Sequence, residues 1–207
     1  MHLLTAFTDY LLAAAGAVFA IKLELARGGR KATTIRLWSA AFVAAAVAAA
    51  LGGTFHGLGA KVDAPLGLVL WKGTVYSVGL ASFFMLCATA TAALRPPAWN
   101  VVIAGALIKF MGYAWWMATH NSYRYVVFDY ASSLLAVLLL QAWTGLVLWQ
   151  NGSGWVSAGV LLAFAGAGIQ RIGWSGYAGF NNNDLYHLVQ IASLYLFYRG
   201  ARLARDR

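Results

Sequence analysis

The chain has 207 residues, of which 61% are hydrophobic and 10% are charged, and its formal net charge is +9. Because a soluble domain needs a polar surface that this composition cannot supply, and because apolar runs long enough to cross a bilayer recur throughout, the composition excludes a soluble domain and predicts a polytopic membrane protein. The basic residues fall in short loops and at the C-terminus, so the charge indicates membrane topology and no nucleic-acid partner.

Seven apolar segments predict an all-α, seven-helix transmembrane bundle that forms one domain over residues 1–207. The third segment should end at Arg-Pro-Pro (95–97), since consecutive prolines lack the N–H groups that a helix needs. An Asn-Gly-Ser-Gly turn at 151–154 should separate the fifth segment from the sixth. The predicted spans cover roughly residues 3–23, 34–56, 67–94, 98–118, 123–149, 155–171 and 184–203.

The distribution of basic residues predicts the orientation of the bundle. With seven spans, the first loop, the third loop and the C-terminal tail lie on one side of the membrane, and these segments carry most of the basic residues. We therefore expect the N-terminus outside and the C-terminus in the cytoplasm of a bacterial cell, with the protein in the inner membrane and in contact with its lipids. The basic residues concerned are Arg27, Arg30, Lys31, Arg36, Arg95, Arg199, Arg202, Arg205 and Arg207.

Ionisable residues inside the predicted spans share one depth. The stretch FNNNDLYHLVQ places Asp184 and His187 at the start of span seven, and His56 ends span two. Because charged groups are costly in lipid and normally face a bundle interior or a watery cavity, their common depth predicts an outward-facing polar pocket. The outer half of the bundle is predicted to contain Asp9, His56, Lys72, Asp129, Asp184 and His187.

Two histidines and a carboxylate from different helices are a ligand set for Zn²⁺ that leaves one position open for water. We therefore predict that His56, His187 and Asp129 bind or orient a metal ion. Asp184 shares a helix face with His187 and is predicted to orient it or to act as a general base. A b-type haem held by the two histidines is a further interpretation.

The same residues also have a structural interpretation. Asn182, Asn183 and Asp184 are typical of a helix N-terminus, and the histidines can form interhelical hydrogen bonds. In that interpretation the protein is a non-enzymatic subunit or binding protein, in a larger membrane complex or as a homo-oligomer. The remaining charges can form ion pairs inside the bundle, Asp129 with Lys72 or Arg124, and Lys109 with Glu24 or a carboxylate of the pocket.

The spans and histidines together resemble the CREST superfamily, which includes alkaline ceramidases and adiponectin receptors. Its pattern is a serine four residues before a histidine that ends span two, an aspartate in or near span three, and HxxxH in span seven. His56 and His187 match the first and last histidines, and the aspartate has no clear match. Gly52 stands at the serine position, with Thr54 as the nearest hydroxyl, and Asn183 stands at the first histidine of HxxxH.

This resemblance implies a zinc-dependent hydrolase of a lipid amide or ester, in which Thr54 is the catalytic hydroxyl. The segments FNNNDLYH and LYLFYRGARL are also similar to an uncharacterised family of bacterial membrane proteins, a similarity that implies no function.

Overall fold

The computed structural model describes residues 3–28, 32–58, 61, 63–173 and 180–207, and these residues form seven α-helices. The helices are α1 (Leu3–Arg27), α2 (Thr33–Leu58), α3 (Ala64–Ala93), α4 (Ala98–Thr119), α5 (Tyr123–Leu146), α6 (Ser153–Ile172) and α7 (Asn182–Leu203). Of the described helices, α1 to α6 are long and apolar enough to cross a membrane, whereas α7 is more polar. Arg30 and Lys31 of the first loop lie outside the described residues.

Each predicted segment overlaps one helix, and the largest differences are at the end of α1, which extends to Arg27 beyond the predicted residue 23, at the start of α3 and at the end of α5. α3 begins at Ala64, ahead of the predicted residue 67, because the Asp63 side chain accepts a hydrogen bond from the Leu66 backbone N–H at 2.9 Å. α5 ends at Leu146, before the predicted residue 149. Trp149 has φ 54°, in the left-handed region, which a right-handed helix cannot continue through.

Six of the described helices form a ring in the order α1, α2, α3, α5, α6, α7, which closes where α7 packs against α1. α4 packs on the outer side of this ring, mainly against α3. Buried aromatic side chains lie inside the ring, where Trp38 of α2 stacks on Phe197 of α7 with ring centroids 5.8 Å apart. The ring therefore has an interior that α1, α2, α3, α5, α6 and α7 can all line.

Helices that follow one another in the sequence are antiparallel, so the bundle has two distinct ends. We call the end where α1, α3, α5 and α7 begin the histidine end, because His56 finishes α2 there and His187 opens α7. At the opposite end, the tail end, the Asp206 carboxylate accepts hydrogen bonds from the backbone N–H groups of Thr33 and Thr34, both at 2.8 Å. The C-terminal tail thereby caps the N-terminus of α2.

Candidate functional site

Two histidines share one buried carboxylate at the histidine end. The Nδ1 atom of His56 lies 2.8 Å from Oδ2 of Asp9, and the Nε2 atom of His187 lies 3.2 Å from Oδ1. We call these three residues the His–Asp–His cluster. Asp9 and His187 are buried, whereas the His56 side chain keeps 36% of its surface exposed. The cluster therefore joins the first, second and seventh helices through one carboxylate.

Close packing of α1 on α2 brings this carboxylate to the histidines. Gly53 faces α1, and a Cβ atom at this position would lie 2.9 Å from Cβ of Asp9 and 3.2 Å from the carbonyl oxygen of Ala6. Such distances are too short for a side chain, so glycine is needed where the two helices approach each other. The contact explains why Asp9 reaches His56, which lies one turn further along the same helix as Gly53.

Both ring nitrogens of His187 have partners. Besides Nε2, which faces Asp9, the Nδ1 atom lies 3.0 Å from Oγ1 of Thr8. The Thr8 hydroxyl also donates to the carbonyl oxygen of Thr5 at 3.0 Å. The Thr8 hydroxyl can instead donate to Nδ1, and a neutral His187 then carries its hydrogen on Nε2, facing Asp9.

Only one ring nitrogen of His56 has a hydrogen-bond partner among the described residues. A carboxylate opposite Nδ1 favours the tautomer that carries its hydrogen there, because Asp9 can only accept. The Nε2 atom of His56 has no hydrogen-bond partner among the described residues. In this tautomer Nε2 is an acceptor, and it belongs to a side chain that lines a cavity.

This main cavity runs from the cluster into the ring of helices and has a volume of about 360 Å³. Its polar end includes the whole His–Asp–His cluster together with Asn183. Its deeper walls are apolar and include Trp38, Phe42, Met85, Leu134, Leu194 and Phe197.

Small side chains on α2 make room for the cavity. Five of its lining residues lie on one face of this helix, at the three- and four-residue spacing of a helical stripe. A bulky residue at any of these positions would project into the cavity. The five residues are Ala41, Ala45, Ala48, Ala49 and Gly52.

Asp129 has partners outside the cluster. Lys109 of α4 forms an ion pair with its carboxylate and donates to its backbone carbonyl and to Ser133 Oγ, both at 2.9 Å. The ion-pair partners proposed for Asp129 from the sequence are therefore corrected, while the proposal that Lys109 meets a buried carboxylate is confirmed. Lys72 instead donates to the backbone carbonyls of Met117 and Ala118.

Asp184 belongs to the helix cap that begins α7. Its Oδ2 atom accepts from the backbone N–H of Asn181 at 2.8 Å, while the Asn181 side chain accepts from the backbone N–H of residue 184, which completes a capping box. The predicted capping role is confirmed for Asp184, with Asn181 as the N-cap. The described hydrogen bonds of Asp184 do not include one to His187.

Thr54 lies beside the cavity and faces α1. Its hydroxyl donates to the carbonyl oxygen of Ala50 at 2.8 Å and lies 2.9 Å from the hydroxyl of Tyr10. Among the described residues that line the main cavity, neither Thr54 nor Asp184 nor Asp129 is included. The structure therefore brings together His56 and His187 of the five predicted site residues.

In this arrangement a zinc ion or a haem iron would have to compete with the partners that the histidines already have. The described residues contain no group of three or more His, Cys, Asp or Glu side chains placed to hold a metal ion. Both nitrogens of His187 already have partners, so His56 offers the one free imidazole nitrogen of the cluster. A metal bound by both histidines requires His187 to leave Asp9 or Thr8.

Four positions that the CREST pattern singles out nevertheless meet at the main cavity, namely those of Gly52, His56, Asn183 and His187. A Cβ atom on Gly52 would lie 3.8 Å from Oδ1 of Asp9, which is an ordinary van der Waals distance. A serine would therefore fit at this position beside the carboxylate.

The model of a protein family of unknown function, DUF6962, matches residues 4–206. The chain belongs to this family. The match extends from the first turn of α1 to the tail that caps α2, so it includes all seven described helices. No curated protein and no solved structure matches the chain.

Asp9 lies at its predicted depth, but the site predicted from the sequence contains neither Asp9 nor Thr8. A signal for both was present, because Thr8 and Asp9 interrupt an otherwise apolar first span, LLTAFTDYLLAAAG. Asp129 is predicted as the third residue of the site, beside His56 and His187, from its depth alone. Depth does not say which way a helix faces, and this is why the bridging carboxylate was missed.

Proposed function

We propose that this protein hydrolyses the ester or amide bond of a lipid-like molecule in the main cavity, with His56 as general base. The observation that supports the proposal is the His–Asp–His cluster at the polar end of an otherwise apolar cavity. A cavity with apolar walls and a few convergent polar groups is typical of a small-molecule site.

The cavity is suited to an amphiphile with one apolar chain. The chain would lie against the aromatic and aliphatic walls near Phe42 and Phe197, where about 0.8 kcal/mol is gained for each buried methylene group. The ester or amide would then lie near His56 and Asn183, which line the polar end. This arrangement places the reacting bond next to the one free imidazole nitrogen of the cluster.

Asp9 prepares His56 for proton transfer. The carboxylate keeps the hydrogen on Nδ1, so Nε2 can accept a proton from a water molecule as that water attacks the carbonyl carbon of the substrate. Asp9 then stabilises the imidazolium that forms, and Nε2 returns the proton to the leaving alcohol or amine. His187 and Thr8 position Asp9 from the other side.

Asn183 is placed to stabilise the developing negative charge on the carbonyl oxygen. Its Oδ1 atom accepts a hydrogen bond from Nε2 of Gln170 at 3.0 Å, which orients the side-chain amide. The Nδ2 hydrogens are thereby left to donate. A fixed donor of this kind lowers the barrier because it faces charge that is largest in the transition state.

In the membrane, we propose seven spans, with the N-terminus outside and the C-terminus in the cytoplasm of a bacterial cell. The support is the excess of arginine at the tail end, in the first and third loops and after α7. The main cavity then opens toward the outer side of the inner membrane. α7 crosses the bilayer within the ring, where its polar residues face other helices.

A second candidate is a binding protein or membrane subunit that holds the same amphiphile without turnover. The observation that favours it is that Asp9 and His187 are satisfied by hydrogen bonds from their own neighbours, as a purely structural network requires. In this candidate the cavity binds, and the cluster stabilises the contact of α1 with α2 and α7.

The test is hydrolysis of acyl esters and acyl amides of graded chain length by the purified protein in a maltoside detergent. We expect turnover that His56→Ala lowers by about 10²–10⁴-fold, the usual contribution of a general base. His120→Ala is the matched control, because His120 is partly exposed at the same end, does not line the main cavity and stacks on Trp116, with ring centroids 3.8 Å apart. Saturable ligand binding without turnover would establish the binding protein instead.

Metal analysis and a visible spectrum of the same sample decide between acid–base and metal chemistry. We expect turnover that survives a strong chelator. Zinc in equimolar amount, lost in His56→Ala together with activity, would establish the zinc-dependent hydrolase, and a Soret band would establish haem.

A further inference from the structure

A second cavity, which we call the tail cavity, lies at the opposite end of the bundle and has a volume of about 430 Å³. Three arginines from separate segments line it: Arg27 at the end of α1, Arg202 in the last turn of α7, and Arg205 in the C-terminal tail. Asn151 and Trp149, from the loop between α5 and α6, complete its wall. The cavity is thus built from residues that are distant in sequence.

The lining of the tail cavity carries charge of one sign. The described residues that line it include three guanidinium groups and no carboxylate. Glu24 lies nearby and pairs with Arg27 at 2.9 Å. The other carboxylate of this region, Asp206, accepts from the N-terminus of α2, and so an excess of positive charge faces the cavity.

Arg202 and Arg205 retain hydrogen-bond donors for a ligand. Arg202 gives one N–H to the hydroxyl of Tyr198 at 3.4 Å, and a guanidinium has five N–H donors. The N–H groups of a guanidinium lie in one plane and can donate in pairs to two oxygens of a phosphate group. Asn151 adds an amide donor that is neutral.

The loop that carries Trp149 is held in an uncommon conformation. Trp149 has φ 54°, and 83% of its surface is exposed. Non-glycine residues in the left-handed region carry strain and are concentrated at sites that bind ligands. An exposed tryptophan at the end of a transmembrane bundle is also typical of the level of the lipid headgroups.

We propose that the tail cavity binds a phosphate group, held by Arg27, Arg202 and Arg205, either as the headgroup of an anionic phospholipid or as a soluble phosphate compound. General membrane topology does not account for this arrangement. Arg36 and Arg95 belong to the same end of the bundle and are exposed, but they are not among the residues that line the cavity. They serve as charge-matched controls.

The experiment is a binding titration on purified protein in a maltoside detergent, with inorganic phosphate and with dihexanoyl phosphatidylglycerol as two separate probes. We expect saturable binding of at least one probe. Arg202→Gln and Arg205→Gln should each weaken it about tenfold, the effect of one charge-assisted hydrogen bond, while Arg36→Gln and Arg95→Gln leave it unchanged. Melting without ligand shows that each variant is folded, and Arg205 is exposed, so its substitution leaves the core intact.

Binding of inorganic phosphate assigns the site to a soluble phosphate compound, and binding of the lipid alone assigns it to a headgroup. The absence of binding by both probes would overturn the proposal. It would equally be overturned if the Arg36 and Arg95 variants lost as much affinity as the Arg202 and Arg205 variants, because that result indicates a diffuse basic surface.

Discussion

Two buried aspartates in apolar helices have different partners. Asp129 is paired with Lys109, and neither is among the described residues that line the main cavity. Asp9 is paired with two histidines, whose charge depends on a proton, and it lies at the wall of the main cavity. In the proposed function, the first pair stabilises the packing of α4, whereas the second transfers protons beside a ligand in the main cavity.

The largest effect is expected from Asp9→Asn. The amide keeps the shape of the carboxylate but cannot stabilise an imidazolium, so hydrolysis should fall about 10³–10⁴-fold. Steady-state kinetics with the best ester substrate measures the effect, and a melting curve shows that the variant is folded. Activity within about tenfold of the unmodified protein would remove the proton-transfer role of Asp9 and make the two aspartates equivalent.

Lys109→Ala should lower stability without lowering the hydrolysis rate of the folded protein. It leaves the Asp129 carboxylate unpaired inside the bundle, and breaking a buried pair in this way costs about 3 kcal/mol. Melting in detergent measures the loss. The double variant Lys109→Leu, Asp129→Leu should recover most of it, because no buried charge remains.

The opposite result would break the comparison. If Lys109→Ala abolished hydrolysis while its melting curve stayed unchanged, the Lys109–Asp129 pair would belong to the chemistry of the protein.

Ala48→Leu should weaken binding of long-chain substrates and leave the cluster intact. Ala48 lines the main cavity on α2, and its enlargement displaces about two methylene groups of a bound chain, which raises KM about tenfold. Val43→Leu is the control, since Val43 is exposed on the outer face of the same helix. Kinetics with esters of short and long chains measures the difference. An equal effect on both chain lengths would place the substrate outside this cavity.

Asp206→Ala changes a third carboxylate, which takes part neither in the proposed proton transfer nor in a buried ion pair. Its effect on stability and hydrolysis should be the smallest. It removes a side chain that caps α2 from the C-terminal tail, and the loss of a helix cap costs about 1 kcal/mol. Hydrolysis should be unchanged, since this carboxylate lies at the tail end. A fall in the hydrolysis rate would mean that the tail end controls the main cavity.

Much of the fold could be predicted from the sequence because apolar runs, prolines and turn residues act locally. Each of the seven helices, and the stop at residues 95–97, follows from the pattern of its own segment. The same is true of the depths of Asp9, His56 and His187. The early end of α5 does not follow in this way, because it depends on a left-handed conformation at Trp149 that its residue type does not favour.

The partners within the site could not be predicted, because they depend on how each helix is rotated about its axis. In the sequence, Asp129 and Asp9 are both carboxylates predicted at one depth, so either could be the third group of the site. The rotation of α5 turns Asp129 toward Lys109 of α4, whereas the close contact at Gly53 turns α1 toward His56. A single sequence contains little information on such rotations, since the helices are apolar on nearly every face.

The closure of the ring by α1 and α7 has a consequence for how the protein is made. α1, which carries Asp9, leaves the ribosome well before α7, which carries its partner His187. At the usual speed of synthesis, roughly 5–20 residues per second, the carboxylate waits on the order of ten to forty seconds for that partner. During this interval the described ion-pair partner that Asp9 can reach is His56, so the arrival of α7 completes the His–Asp–His cluster and closes the ring.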